Sequence, residues 1–210
     1  MVQYGFSFDA RRCTGCKTCM MACRDYHDLG PELAFRQIYE MTGGSWRKCG
    51  GTWEQDCYAY YVSLACNHCA RPVCMEVCPT GAMHRDERGL VSVDVRRCIG
   101  CGYCALSCPY HAPKVDRSAG CSVKCDGCTD RVAEGLPPIC VAACPLRALA
   151  FGPADEVCAD TGATASIPPL PDASETGPNL AVVPPACFER VGEERIRRDA
   201  HVNNLRELVR

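Results

Sequence analysis

Arg96-Arg-Cys-Ile-Gly-Cys-Gly-Tyr-Cys-Ala-Leu-Ser-Cys-Pro109 places four thiols at positions 98, 101, 104 and 108. Two residues separate each of the first three, three residues precede the fourth, and a proline follows it directly. Thiols two residues apart can be gathered by one short loop around a single centre. Gly100 and Gly102 ease that wrapping, because glycine tolerates positive φ and close backbone approach. The fourth thiol lies beyond the loop and leads away from it.

This spacing is the ligand run of bacterial ferredoxins, in which three thiols hold one iron–sulfur cubane and the fourth serves a neighbouring one. One run therefore implies two clusters. The pattern also repeats. Phe6 to Cys23 aligns with Val91 to Cys108 at Ser7/Ser92, Asp9/Asp94, Arg11/Arg96, Arg12/Arg97, Cys13/Cys98, Gly15/Gly100, Cys16/Cys101, Cys19/Cys104 and Cys23/Cys108, at a constant offset of 85 (98 − 13 = 85). Alternating apolar residues, Phe6 with Phe8 and Val91 with Val93, predict a short strand leading into each loop.

Two further groups complete the set. Cys66, Cys69, Cys74 and Cys78 carry four residues in the second gap, and Cys125, Cys128, Cys140 and Cys144 carry eleven. Alone, the last group would pass for a zinc site. Three groups end in Cys-Pro-x-x-Ala, at Cys78 to Ala82, Cys108 to Ala112 and Cys144 to Ala148, and the proline is expected to open a helix. The first group departs, with Arg24 after Cys23.

The chain has 210 residues, enough for one or two small domains, and 21 of them are cysteine. Such a share suggests a disulfide scaffold or a metal protein. Thiols crowded into one loop have poor disulfide geometry, which favours iron–sulfur first, zinc second and disulfides last. A net charge of −2 and a pI near 6.2 give no electrostatic case for nucleic acid or anionic lipid as the main partner. No apolar run is long enough to span a membrane, and Met1-Val-Gln-Tyr-Gly-Phe lacks the start of a signal peptide. Arg11-Arg12 precede a cysteine loop instead of an apolar stretch, so they read as part of that loop. Phosphate-binding glycine loops, paired nucleophiles and marked carboxylate pairs are absent from the sequence, which places any chemistry on a substrate in another chain.

The expected fold class is α+β: a duplicated bacterial ferredoxin-like fold, two 2x[4Fe-4S] units, with an irregular insertion and an extended C-terminal tail. Residues 1–24 with 120–152 form the first unit and 61–119 the second; 25–60 are the insertion and 153–210 the tail. In the insertion, Phe35, Ile38, Tyr39, Trp46 and Trp53 lie around Gly43-Gly44 and Gly50-Gly51, and core packing is favoured over a partner-facing role. The tail is rich in Pro, Ala, Ser, Thr and Gly and is expected to drape over this protein or a partner. Its end, Phe188 to Arg210, places Val191, Ile196, Val202, Leu205 and Leu208 among charges and suits one surface helix. Cys49, Cys57, Cys121, Cys158 and Cys187 stand outside the groups and read as ordinary thiols, Cys121 as a spare buried one. His68, His84 and His111 lie beside ligand thiols but are not needed as ligands. Arg11, Arg12, Lys17, Arg96, Arg97, Lys124 and Arg131 read equally as tuning charges or as surface ion pairs.

From Tyr4-Gly5-Phe6 to about Glu156 the chain resembles the four-cluster iron–sulfur subunits of molybdenum-containing oxidoreductases, dimethyl sulfoxide reductase type. The resemblance rests on Arg12-Cys-Thr-Gly-Cys-Lys-Thr-Cys, Arg36-Gln-Ile-Tyr with Gly43-Gly44, Cys66-Asn-His-Cys with Cys78-Pro-Thr-Gly-Ala-Met-His, Lys124-Cys-Asp-Gly-Cys, Asp130-Arg-Val-Ala-Glu-Gly, and Pro138-Ile-Cys through Cys144-Pro-Leu-Arg-Ala-Leu to Phe151-Gly-Pro. It implies four [4Fe-4S] clusters with crossed ligands. Cluster 1 would take Cys13, Cys16, Cys19 and Cys144; cluster 2, Cys23, Cys125, Cys128 and Cys140; cluster 3, Cys66, Cys69, Cys74 and Cys108; and cluster 4, Cys78, Cys98, Cys101 and Cys104. Because Cys101 is present, the fourth site should be four-iron too. The resemblance further implies a non-catalytic electron-transfer subunit in anaerobic respiration. It would run from a membrane-anchor, quinol-oxidising subunit, where electrons enter at cluster 4, to a molybdopterin catalytic subunit beside cluster 1. The expected place is peripheral on the cytoplasmic membrane, on its outer (periplasmic) face, reached by co-export on the catalytic subunit's twin-arginine signal. Sister complexes acting on polysulfide, tetrathionate or other acceptors, dehydrogenases, a soluble polyferredoxin and a zinc-stapled interaction module are the alternatives.

Overall fold

The computed structural model describes residues 2–159 and 162–202. In chain order, β1 (Tyr4–Asp9) feeds the first cysteine loop and α1 (Thr18–Tyr26) leaves it; β2 (Gln37–Gly43), β3 (Trp46–Cys49), β4 (Thr52–Gln55) and β5 (Tyr58–Leu64) follow. The second loop leads to α2 (Val73–Glu76), β6 (Met83–Arg85) and β7 (Val91–Val93), and the third to α3 (Tyr103–Ser107), β8 (Lys114–Asp116) and β9 (Cys121–Val123). The fourth group contains α4 (Thr129–Ala133) and α5 (Ile139–Ala142). Beyond it lie β10 (Leu149–Pro153), α6 (Ala154–Val157), β11 (Leu180–Val183), α7 (Cys187–Val191), α8 (Glu193–Asp199) and β12 (His201–Val202). Helix and strand are mixed, as an α+β protein requires.

The strands predicted before the first and third loops are β1 and β7, and the helices that follow them start at the offset of the sequence repeat (103 − 18 = 85). Phe6 and Phe8 are buried and the intervening Ser7 and following Asp9 less so, because β1 lays its phenylalanine face on the core. β1 is also the middle strand of its sheet, with β10 antiparallel on one side and β11 parallel on the other. Phe6 closes the layer against Phe151, ring centroids 4.7 Å apart.

Residues 25–60 are not irregular as expected. β2 and β5 pair antiparallel from Gln37↔Leu64 to Gly43↔Tyr58, and β12 adds to β2. The adjacent residues Ile38 and Tyr39 are both buried, so the strand carries no two-residue alternation by which a sequence would disclose it. Core packing holds for Ile38 and Tyr39 but not for the tryptophans. Trp46 and Trp53 are 63% and 64% exposed on the β3–β4 hairpin, which turns at Gly50 and Gly51 and whose strand residues are all exposed.

The tail packs on the rest of this protein. Ile167, Leu170, Leu180 and Val182 are buried, and β11 runs beside β1 from Phe6↔Leu180 to Asp9↔Val183. The single terminal helix expected from Phe188 is broken, because Gly192 takes φ 87° between α7 and α8. Ile196 is fully buried, and Val191 and Val202 pack against the core; Leu205 and Leu208 lie outside the described residues. Asp56 anchors α8 through Arg195 at 2.5 Å, and Arg190 of α7 donates to the Cys57 carbonyl at 2.8 Å.

Candidate metal centres

All four cysteine loops make the same left-handed step just before their second thiol, at Gly15 (φ 69°), His68 (44°), Gly100 (67°) and Gly127 (81°). The step turns the chain so that consecutive thiols face one centre. Three loops use glycine for it; at Gly15 a Cβ would also lie 2.4 Å from the Tyr61 ring.

The helices stand on the other side of the Cys-Pro phrases from where they were expected. α2, α3 and α5 end before Cys78, Cys108 and Cys144, and the proline opens a turn instead. The amide of the third residue onward donates back to each cysteine carbonyl, Gly81 to Cys78 at 3.2 Å, His111 to Cys108 at 3.0 Å and Arg147 to Cys144 at 3.2 Å. A proline disfavours helical backbone at the residue before it, and Cys108 is accordingly extended. Cys23, which lacks the proline, stays inside α1.

The thiols gather in four sets, each drawn from two loops. Cys13, Cys16 and Cys19 line one cavity with Cys144, and Cys66, Cys69 and Cys74 line another with Cys108. Cys23, on α1, sits within electrostatic reach of Cys128 and Cys140, and Cys125 within reach of Cys23 and Cys140, where α1 packs on α5. Cys98, Cys101 and Cys104 lie together, and Cys78 packs against the same small apolar cluster that contains Cys104, where α2 meets α3. Neighbouring sets follow one another in series: Cys19 is close to Cys140, Cys125 to Cys66, and Cys74 shares a small buried cluster with Cys104. Among these sixteen thiols only Cys16 and Cys101 are exposed, and they belong to the first and last sets of the series.

Burial pushes the free thiols up, Cys23 and Cys74 to about 12 and Cys69 and Cys128 to about 11. They are protonated at neutral pH until a metal draws the protons off. Polar groups wait at the sulfurs: the Ser122 amide donates to Cys98 Sγ at 3.2 Å, the Ala148 amide to Cys144 Sγ at 3.3 Å, and Ser63 Oγ lies 3.6 Å from Cys19 Sγ. Four-thiolate sets suit zinc or iron–sulfur clusters. Three thiols from one loop completed by one from another is the two-cluster ferredoxin arrangement, so the residues fit cubanes.

The cations separate into two kinds. The exposed Arg11 and Arg12 pair with the half-buried Asp9, and the exposed Arg96 with the half-buried Asp94, which is the surface-pair reading. Lys124 is buried, with Nζ donating to the carbonyls of Val91 and, at 2.7 Å, Cys125. Arg36, singled out in the sequence only as part of a motif, is also buried. Its Nη1 donates to Ser63 Oγ at 3.1 Å, its guanidinium lies 4.8 Å from the Phe6 ring centroid, and its Nε and Nη2 lack a hydrogen-bond partner among the described residues. No sequence signal marks it, since an isolated arginine is ordinarily a surface residue.

His68 is a core residue. Its Nδ1 accepts the Val91 amide at 3.0 Å, and burial, with Lys124 and Arg85 nearby, holds its pKa well below the usual histidine range. His84 Nδ1 contacts the Ala82 carbonyl at 3.2 Å and His111 is exposed. His27, not anticipated, brings Nε2 to 3.5 Å from Cys128 Sγ, and with Asp126 these form a compact polar group that belongs to the second set. None of the 21 cysteines forms a disulfide; Cys121 is buried, Cys49 exposed, and Cys57, Cys158 and Cys187 half-buried.

Sixteen cysteines gathered from four loops, on a mixed helix and strand framework, define a ferredoxin-type electron-transfer protein carrying four [4Fe-4S] clusters. Residues 57–154 match the family described as 4Fe-4S dicluster domain. The sequence is 54% identical over 191 residues to the B subunit of anaerobic dimethyl sulfoxide reductase from Escherichia coli K12, covering 91% of this protein and 93% of that one. It is 57% identical over 185 residues to the corresponding B subunit of Haemophilus influenzae (88% and 90%), and 41% identical over 155 residues to the thiosulfate reductase electron transfer subunit of Salmonella typhi (73% and 78%). This protein belongs to the family of dimethyl sulfoxide reductase B subunits, the iron–sulfur subunits.

Proposed function

We propose that this protein is the non-catalytic wire of a dimethyl sulfoxide reductase type complex, taking electrons from a membrane quinol-oxidising subunit at its Cys101 face and delivering them to a molybdopterin catalytic subunit at its Cys16 face. One observation carries this reading: four thiol sets follow one another in series, and the two exposed ligand thiols belong to the terminal sets. The ligand scheme is the crossed one, each set taking three cysteines from one loop and the fourth from its partner loop. When bound, each four-iron cluster supplies a one-electron redox centre whose potential follows net charge, hydrogen bonds to sulfur and exposure.

Other residues support the assignment of the two faces. Around Cys101 the exposed side chains Ile99, Tyr103 and Leu106 form an apolar surface that suits a membrane subunit. No helix among the described residues is long and apolar enough to cross a membrane, so attachment would run through that partner. The repeat at an offset of 85 and the matching starts of α1 and α3 support two duplicated units, one from residues 1–24 with 120–152 and one from 61–119. The placement that follows is peripheral, on the outer face of the cytoplasmic membrane. A second reading, the same role in a sister complex, is favoured by the likeness to the thiosulfate reductase subunit.

Anaerobic purification should return about sixteen irons per chain, four cubanes of four. Stoichiometric zinc in a colourless protein would refute the assignment. Cys101→Ser should perturb one cluster, block quinol-dependent turnover of the complex and spare dye-driven turnover. Unchanged quinol-dependent turnover would remove that site from the route.

A further inference from the structure

Arg36 and Lys124 are the two buried cations of the core, and among the described residues neither pairs with an acid. A buried charge is retained only where something of opposite sign compensates it. The groups close to Arg36 are Cys140, Cys19 and Cys125; those close to Lys124 are Cys66, Cys125 and Cys74. Each cation therefore stands between two thiol sets, Arg36 between the first and second, Lys124 between the second and third. Lys124 lines the cavity of the third set beside Cys66 and Cys74 while its Nζ donates to the Cys125 carbonyl of the second, and Arg36 donates to Ser63 Oγ, which lies 3.6 Å from Cys19 Sγ of the first.

We propose that Arg36 and Lys124 are fixed inter-cluster charges that raise the reduction potentials of the clusters they separate, Arg36 acting on the first and second and Lys124 on the second and third. The proposal rests on the ligand scheme above. A positive charge favours the reduced, more negative cluster, and in a water-excluded interior its field is little screened. The second set lies beside both cations and the fourth beside neither; near the fourth, the exposed Arg96 is paired to Asp94. The two charges thus favour an electron on the buried sets over the fourth.

The test is a potentiometric titration of the whole complex, followed by electron paramagnetic resonance with iron counts, for Lys124→Met, Lys124→Arg, Arg36→Met and Arg36→Lys. Lys124→Met should change the oxidised-to-reduced ratio of the second and third clusters at least tenfold at fixed potential, about 59 mV downward for one electron. The fourth cluster should not move, and Lys124→Arg should restore most of the shift. Arg36→Met should act in the same way on the first and second, with Arg36→Lys restoring. Unchanged midpoints in fully loaded Met variants would overturn the proposal, as would equal shifts in the charged and neutral variants, which would mark a packing role.

Should the neutral variants fail to load, the unaltered complex labelled with [ε-15N]lysine decides. A nitrogen coupling at the third cluster that vanishes in Lys124→Arg is expected, and its absence refutes the contact. An iron count below sixteen in the unaltered complex would strike at the ligand scheme itself, and is read before any variant is made.

Discussion

At Gly15 a single hydrogen atom decides whether a thiol loop can close. Its φ is 69°, and a Cβ would meet the Tyr61 ring at 2.4 Å. For other residues the left-handed conformation alone costs roughly 1–2 kcal/mol, before the clash is added. Gly15→Ala should therefore lose the first cluster and leave the other three, a change read as about four irons fewer and one missing resonance signal. The role of Gly15 was legible from the spacing. The same step at His68 was not, because a histidine gives no sign that it will take φ 44°. Arg36 and His27 were equally hidden, since they reach their sulfurs only when β2 and the end of α1 fold against the fourth group.

At the scale of elements, sequence pattern disclosed the strands in which apolar and polar residues alternate and missed one that buries adjacent residues. β1 and β7 alternate and were foreseen; β2 buries adjacent Ile38 and Tyr39 and was not. The proline signal was misplaced for a reason of geometry. Proline permits a helix after it and discourages one before it, and short helices that stop just ahead of the cysteine satisfy the second rule. The tryptophans show the limit of composition, because aromatic character alone cannot say which side of a sheet faces water. Trp46→Ala and Trp53→Ala should each alter stability by less than about 0.5 kcal/mol. Tyr60→Ala should cost about 3 kcal/mol or more, since Tyr60 is buried, donates to the Pro168 carbonyl at 2.8 Å and meets the Phe188 ring edge-on. Thermal bleaching of the visible absorption of the loaded complex compares the three.

At the scale of the whole molecule, the four thiol groups were readable because spacing is local and the repeat is long, whereas their crossing came only with the family resemblance. The service of the tail was not. Its composition looks linker-like, yet Ile167, Leu170, Leu180, Val182 and Ile196 are buried in the common core. Each such burial is worth about 1.5–3 kcal/mol, against a total stability of roughly 5–15 kcal/mol for a domain. Ending the chain after Val157 would also leave β1 as a bare edge beside the first thiol loop. Such a truncated protein should hold less than its full iron and be cut rapidly by proteases, and wild-type iron content with unchanged protease resistance would show that the tail is dispensable.

The pairing of Cys13, Cys16 and Cys19 with Cys144 in one cavity has a consequence in time. The protein is made from its first residue onward, and the partner of the first loop emerges 131 residues after Cys13 (144 − 13 = 131). Cys66 and Cys108, in contrast, are 42 residues apart (108 − 66 = 42). During synthesis the third and fourth sets can therefore be completed while the first loop is still one thiol short. The earliest thiols made are among the last to be enclosed, and until then they stand as free thiols that only reducing surroundings keep from oxidation.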